Sequence, residues 1–251
     1  LTVDEILSKI ENLTLREMPG GTLFPDTMKQ YDDYTIREAL HNCIAHQDYT
    51  LQQRINFVEN PGYLYYSNAG TFIPGTLENV LRNEEPQTHF RNECLCRAMV
   101  DFNMIDTVSH GIKKMFNEQW RRHFPMPNYE IDQIKKKVVV RIYGNEINKR
   151  YTDLLKTNDT LSLWDCISLD AIQKGRTIHE DVAQDLLKRG LIEGEAPHYS
   201  ISLSIAKDTH QLSSYTKTKR LDKERLRQMV LQYLSNAGSE GAKRDSIYEY
   251  L

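Results

Sequence analysis

The chain has 251 residues, of which 39% are hydrophobic and 27% are charged, and its formal net charge is -3. This composition is typical of a folded globular protein of one or two domains and excludes a largely disordered chain. The slightly negative charge provides no overall basic field for nucleic acid, so a DNA-binding site would have to be a local patch.

The sequence also excludes several locations and cofactor classes. No apolar run approaches the 18 or so residues that a membrane span needs, and the first residues include the acids Asp4 and Glu5, unlike a signal peptide. The four cysteines form no C-x-x-C pair and have no histidines at zinc spacing, which predicts reduced thiols in a cytoplasmic protein. The chain lacks an initiator Met and stops within a helical pattern, so we expect a piece of a longer protein.

The first half of the chain alternates helical and strand patterns. The predicted elements are, in order, helix 3–12, helix 35–47, strands 54–58 and 63–67, a short helix 77–81, helices 92–101 and 109–120, and strand 137–143. Thr35 is the predicted cap of the second helix, with Glu38 at the capping-box spacing. This order predicts an α+β domain in which helices cover one face of a mixed sheet.

The second half of the chain is mostly helical from residue 151 to 192, with Thr177 as a predicted helix cap. Residues 191–203 resemble a small hairpin whose tip lies near Pro197, and residues 206–220 resemble a polar linker. Two further helices are predicted over 222–235 and 243–251.

One face of helix 35–47 carries Glu38, Asn42 and His46 at i, i+4 and i+8. An Asn amide oxygen can coordinate Mg²⁺, and a neighbouring Glu can polarise a water that attacks a γ-phosphate. The alternative is a capping Glu with two polar surface residues, which the spacing alone favours because E-x-x-x-N is a frequent chance pattern.

The stretch YTIREALHNCIAHQDY, residues 34–49, resembles the REAL-x-NA-x-x-HRDY motif of the RecG-related ATP-binding transcriptional regulators of bacteria. Further motifs follow in the order expected for that family: NFVENPGYLYYSNAG at 56–70, the loop 72–80, the pair Arg91-Asn92, the turn SHGI at 109–112, and Pro125-x-Pro127. The resemblance covers about residues 30–144. It implies a GHKL-like, Bergerat-type mixed-sheet sandwich that holds ATP between its sheet and a loop.

Carried over by position, the resemblance implies a role for each matching residue. Glu38 matches the catalytic base and Asn42 the Mg²⁺ ligand, while Asn68 stands near the position of an adenine-binding Asp. The remaining residues implied to contact the nucleotide are His46, Gly70, Arg91, Asn92 and Gly111.

Three positions depart from the family pattern. Asn68 is neutral where the wider superfamily has a carboxylate, Ser109 replaces a turn glycine, and Ala69 replaces a proline. An amide accepts a hydrogen bond more weakly than a carboxylate, and a non-glycine turn approaches a phosphate less closely. We therefore expect ATP hydrolysis to be absent or slow. No G-x-x-x-x-G-K-[ST] motif is present, so the chain is not a P-loop helicase.

Residues 161–203 have the order helix, turn, helix, two-stranded wing, which is typical of a winged helix. The segment also resembles the matching region of Bacteroidetes-type members of the same family. The basic residues predicted to hold phosphates are Lys174, Arg176, Lys188 and Arg189, and those predicted to face bases are His179 and Gln184. An assembly role remains equally open, because the acids Glu180, Asp181, Asp185 and Glu193 oppose DNA.

The predicted domains are a linker helix 1–29 after an upstream domain, a GHKL-like domain 30–146, a winged helix 150–206 and the start of a second winged helix 221–251. Relatives carry an upstream AlbA-like, Schlafen-related DNA-binding domain. Three functions stay open: a nucleotide-responsive transcriptional regulator, a degenerate scaffold or dimerisation module, and a slow ATPase. The predicted partner is DNA, with ATP, Mg²⁺ and a homodimer left open and no membrane.

Overall fold

The computed structural model describes residues 3–17, 26–82, 90–105 and 111–202. The chain divides into two compact units, Leu1–Asp170 and Ala171–Leu251. The predicted turn at Ser109 and the helices predicted over 222–235 and 243–251 lie outside the described residues, as does the linker 206–220. No helix among the described residues is long and apolar enough to cross a membrane.

The first unit begins with helix α1 (Val3–Lys9) and two short strands, β1 (Thr14–Glu17) and β2 (Asp26–Lys29), which pair antiparallel. The sequence predicted only a helix in this region. Each strand has four residues and therefore too few positions for a recognisable alternation of apolar and polar side chains.

Helix α2 (Asp33–His46) is the predicted amphipathic helix, starting two residues earlier than expected. Its N-cap is Asp32 and not Thr35, because the Asp32 carboxylate accepts from the Thr35 backbone N–H at 2.8 Å. Thr35 is thus inside the first turn, and Glu38 contributes to the site described below and not to a capping box.

Four strands form the main sheet: β3 (Asn56–Asn60), β4 (Tyr63–Ala69), β5 (Asn128–Asp132) and β6 (Lys137–Tyr143), in the order β3-β4-β6-β5. Every pairing in this sheet is antiparallel. The prediction of a mixed sheet is therefore wrong for the described strands. The reason is that β3–β4 and β5–β6 are hairpins, and β6 also runs antiparallel to β4. Strand β5, which follows Pro127 directly, was not predicted from the sequence.

The core of the first unit lies between α2 and one face of this sheet. Its fully buried side chains include Ile36 on α2, Leu64 and Tyr66 on β4, and Ile142 on β6. Burying one such side chain stabilises the fold by roughly 1.5–3 kcal/mol. Three further helices follow the sheet's first hairpin: α3 (Leu77–Arg82), α4 (Glu93–Asp101) and α5 (Gly111–Arg121), close to their predicted bounds.

After the sheet come α6 (Lys149–Thr157) and α7 (Leu163–Gln173), and α7 crosses the boundary between the units. The second unit continues with α8 (Glu180–Lys188) and the antiparallel hairpin of β7 (Ile192–Glu195) and β8 (His198–Ile201), as predicted. The N-cap of α8 is His179 and not Thr177, because the extended backbone continues as far as His179, at φ -63° and ψ 142°.

Candidate functional site

Helix α2 places Asn42 and His46 on the wall of a cleft above the main sheet. The cleft has an empty volume of about 530 Å³, which includes its open mouth. Two of its walls are the sheet strands β4 and β6, and a third is the loop that follows β4. The lining residues are Ala39, Asn42, Cys43, His46, Asn68, Thr71, Phe72, Ile73, Pro74, Ile112, Tyr129, Val138 and Val140. A mostly apolar lining with a few polar groups is typical of a small-molecule site.

Glu38 contacts the cleft through Asn42. The Nδ2 of Asn42 donates to Oε1 of Glu38 at 3.0 Å, and the hydroxyl of Tyr34 lies 3.5 Å from Oε2. Because Nδ2 faces Glu38, the Oδ1 of Asn42 is the atom left to accept or to coordinate. Asn42 thus lines the cleft as predicted, whereas Glu38 stands one hydrogen bond behind it.

Gly111, at the start of α5, is brought against Glu38. A Cβ at this position would lie 1.6 Å from Oε1 of Glu38, so no larger residue fits while the carboxylate stays in place. The predicted site residues Glu38, Asn42 and Gly111 therefore form one contiguous group.

Asn68 lies at the end of β4, buried, on the cleft wall. Its Nδ2 donates to two backbone carbonyls, those of His46 at 3.5 Å and Ala69 at 3.2 Å. Since carbonyl oxygens can only accept, this contact orients the amide and leaves Oδ1 as its acceptor. Gly70 follows at φ +130°, and a Cβ there would meet the His46 carbonyl at 3.1 Å, which explains the glycine.

Arg91 holds the end of α2 and the cleft loop together. Its Nε donates to the His46 carbonyl at 3.2 Å, and one Nη donates to both the carbonyl and the hydroxyl of Thr71 at 2.8 Å. Its other Nη lies 3.6 Å from the Asp48 carboxylate. These contacts are structural, because they satisfy the His46 carbonyl at the end of α2 and fix Thr71 in the loop after β4.

Asn92 and Gln47 secure the same helix end. The Nδ2 of Asn92 donates to the carbonyls of Ala45 and Gln47, both at 2.9 Å. The buried Gln47 side chain accepts from the Ala69 N–H at 2.8 Å and donates to the Gln53 carbonyl at 2.7 Å. No role for Gln47 was predicted, because nothing local to it shows that its partners lie on β4 and in the segment before β3.

Burial determines the protonation states of the titratable side chains in the cleft. It lowers the pKa of His46, with the nearby Arg91 charge adding to the effect, so this imidazole is neutral at pH 7. Burial raises the pKa of the Cys43 thiol to about 12, so Cys43 is no nucleophile at neutral pH. Burial also raises the pKa of Tyr129 far above its usual range, with the Glu38 charge contributing, and the phenol stays protonated.

The apolar part of the cleft was not predicted. Phe72 and Tyr129 approach with their ring centroids 6.3 Å apart, although they come from distant parts of the chain. No local pattern marks such residues, since strand pairing between β5 and β6 brings Tyr129 to the site. No group of three or more His, Cys, Asp or Glu side chains among the described residues is placed to hold a metal ion.

In the second unit, the predicted DNA-binding residues lie around α8. Gln184, Lys188 and Arg189 are exposed, as is the N-cap residue His179. Gln184 donates to Glu180 at 2.8 Å, and Arg189 pairs with Asp185 at 3.0 Å. Lys174 and Arg176 lie in the segment between α7 and α8. Acids and bases are therefore interleaved along the exposed face of this helix.

Comparison with known proteins supports the fold alone. No family model matches the chain, and no curated protein matches it significantly. A solved structure, that of the DIP2311 protein from Corynebacterium diphtheriae, matches with a TM-score of 0.52 at 17% sequence identity. The match covers 83% of this chain but only 46% of that protein. The chain is thus an α+β protein that spans about half the length of this structural neighbour.

Proposed function

We propose that this protein is a nucleotide-responsive transcriptional regulator, in which the cleft above the main sheet binds ATP and the second unit contacts DNA. The observation that carries the proposal is that two oriented amides, Asn42 and Asn68, line one mostly apolar cleft. A purine nucleotide needs apolar walls for its base, an acceptor for its amino group and a polar end for its phosphates. The GHKL-like and winged-helix resemblances favour the same proposal.

The base would lie against the apolar walls of the cleft. Phe72, Ile73 and Val138 offer surfaces that a flat ring can contact. The Oδ1 of Asn68 would accept a hydrogen bond from the exocyclic amino group of adenine, since its Nδ2 is held by two backbone carbonyls. A neutral amide accepts less strongly than a carboxylate, so we expect modest affinity.

The donor set around Asn42 fits a Mg²⁺ ion that arrives with a nucleotide. Mg²⁺ is usually bound by one or two protein oxygens together with phosphates and waters. The Oδ1 of Asn42 is the protein oxygen that would hold the ion, because Nδ2 is turned to Glu38. The ion would neutralise phosphate charge, and Glu38 would be the base for any attacking water.

We expect turnover to be absent or slow. In the described structure Glu38 is engaged by Asn42 and packs against Gly111, so it is not directed into the cleft. Steady hydrolysis that is lost in Glu38→Ala would support the slow ATPase instead.

The segment from α7 to β8 has the element order of a winged helix, which supports DNA binding through Lys188 and Arg189 to phosphates and through His179 and Gln184 to bases. The alternative is an assembly module. The pairing of Gln184 with Glu180 and of Arg189 with Asp185 favours this second function, because it occupies the groups that would contact DNA.

A thermal-shift titration with ATP and ADP, with and without Mg²⁺, tests the nucleotide proposal. A ligand at 100 times its Kd adds about 2.7 kcal/mol of stability. Ile73→Trp should abolish the shift, because Ile73 is 40% exposed at the cleft and a larger side chain would fill the mouth without disturbing the core. Arg37→Ala is the control, since Arg37 is an exposed residue of α2 that does not line the cleft. No shift at millimolar nucleotide would favour the scaffold.

A further inference from the structure

The tip of the β5–β6 hairpin has an unusual surface. Ile134 is 95% exposed, and the three residues after it, Lys135, Lys136 and Lys137, are all exposed as well. Ile134 is the most exposed large hydrophobic residue of the described chain. Lys135 pairs with the Asp132 carboxylate at 3.5 Å, and the charge of Lys136 acts on Asp48, whose pKa it helps to lower. The tip therefore combines an apolar point with an excess of positive charge.

The backbone of this tip is held firmly. The Asp132 carboxylate accepts from the Lys135 N–H at 2.8 Å, and the carbonyl of Lys136 accepts from the Gly70 N–H at 2.7 Å. Gln133 donates to the carbonyl of Phe72 at 3.2 Å. The tip is thus presented by a fixed scaffold, so a partner that binds it has little backbone entropy to overcome.

We infer that this hairpin tip, residues 133–137, is a contact surface for double-stranded DNA. Lys135, Lys136 and Lys137 would contact phosphates, and Ile134 would make apolar contact with base edges such as thymine methyl groups. A two-stranded β-ribbon fits the major groove, which is about 12 Å wide. The inference rests on the proposed DNA partner but does not depend on nucleotide binding in the cleft.

The geometry favours DNA over an acidic membrane. Successive side chains at the end of a hairpin leave the backbone in different directions. A groove has phosphates along both rims, so lysines on both sides of a ribbon can each reach one, whereas a flat lipid surface meets only one side. The tip has a single exposed Ile, and one such side chain buries too little apolar surface to hold a protein on a bilayer.

The charge on α8 strengthens the assignment. There Arg189 already has a carboxylate partner, and Glu180, Asp181 and Asp185 share the exposed surface. At the hairpin tip three lysines stand against Asp132 and the nearby Asp48, which also pairs with Arg91. Phosphate contacts depend on unneutralised cations, so the hairpin tip is the better phosphate-binding surface of the two.

The test is fluorescence anisotropy of the full chain with a labelled duplex, measured from 50 to 200 mM salt. The double variant Lys135→Gln/Lys137→Gln should bind more weakly. Two lost phosphate contacts reduce the salt slope by about 1.8, so the affinity lost between 50 and 200 mM salt should shrink by about tenfold. Ile134→Gln should weaken binding with an unchanged salt slope, because it removes no charge.

Lys9→Gln/Lys149→Gln is the matched control, since it removes the same charge from two exposed lysines of the first unit. An equal loss of DNA affinity in this control would overturn the inference. A loss of affinity seen only in Lys188→Gln/Arg189→Gln would overturn it as well. Binding to phosphatidylserine vesicles but not to DNA would make the tip a membrane surface and overturn it too. Absence of DNA binding by the unaltered chain would overturn both this inference and the proposed DNA partner, whereas DNA binding that ignores the tip variants would overturn this inference alone.

Discussion

The two units use the same kinds of polar side chain in different ways. In the first unit, Arg91 and Gln47 bond to backbone groups around the end of α2. In the second unit, Arg189 and Gln184 bond to carboxylates one helical turn away on the exposed surface of α8. The comparison shows that the type of a residue predicts little about its contribution to folding stability. That contribution depends on the group the side chain bonds to and on how exposed the pair is.

The physical reason is what each side chain leaves behind when it is removed. A buried backbone group without a partner loses both water and its hydrogen bond, which costs about 1–3 kcal/mol. An exposed carboxylate is solvated again at once, so an exposed pair one turn apart contributes about 0.3–0.5 kcal/mol. The first unit should therefore respond strongly to the loss of these side chains, and the second hardly at all.

Arg91→Ala should give the largest effect. It leaves the Thr71 carbonyl without its side-chain donor, leaves the His46 carbonyl with only the longer contact from Asn68, and separates the cleft loop from α2. We expect the free energy of unfolding to fall by about 2–4 kcal/mol, measured by urea denaturation. Arg121→Ala is the control, because Arg121 has a side chain that is 76% exposed and should lose almost nothing. Equal losses of stability in the two variants would show that the partner of an arginine and its exposure do not determine its contribution.

Gln47→Ala should follow, with a loss of about 2 kcal/mol. The buried Ala69 N–H and the Gln53 carbonyl would both lose their side-chain partner. Gln184→Ala is the matched variant in the second unit and should change the stability by less than about 0.5 kcal/mol. The same urea denaturation measures both, and a larger loss for Gln184→Ala would reverse the comparison.

Much of the first unit's architecture follows from local sequence patterns. Helix α2 and strand β6 were predicted within two residues, because their apolar side chains recur at the helical and strand periods. Strand β5 was missed, since two prolines precede it and only Tyr129 and Ile131 give it an apolar period. A pattern of two residues is too short to distinguish a strand from a loop.

Residue spacing alone could predict the candidate site only where its residues share an element, whereas Asn68 and Gly111 were identified through the family resemblance. The spacing of Asn42 and His46 on α2 placed both on the cleft wall. Arg91 was identified as a site residue, but its structural contacts were not, because its partner His46 lies 45 residues earlier in the chain. The exposed lysines of the β5–β6 tip were not singled out either, since only the hairpin shows that they surround an exposed Ile134.

The pH dependence of stability provides a further test of the effect of burial in the first unit. Burial lowers the pKa of His46 in the folded protein below its usual 6.5. As the pH falls below about 6.5, the unfolded chain gains a proton on His46 before the folded chain does, so stability falls with decreasing pH until the folded group is also protonated. His46→Gln should therefore reduce the change in the free energy of unfolding with pH. The pKa of His41 is also lowered by burial, so His41 should account for the pH dependence that remains. Urea denaturation at pH 5 to 7.5 measures the free energy of unfolding of both proteins. An unchanged pH dependence in His46→Gln would contradict the lowered pKa of His46.

Arg189→Ala should have the smallest effect on stability. The Arg189–Asp185 pair is 3.0 Å long and lies on the surface of α8, with side chains 36% and 61% exposed. Such a pair one helical turn apart contributes about 0.3–0.5 kcal/mol, and salt screens part of it. We therefore expect a change in the free energy of unfolding below about 0.5 kcal/mol, which shrinks further in 0.5 M NaCl. The variant can thus be used in DNA-binding assays without a stability correction. A loss above 1 kcal/mol would mean that Arg189 has a structural role like that of Arg91, and the two units would then differ less than their hydrogen bonds indicate.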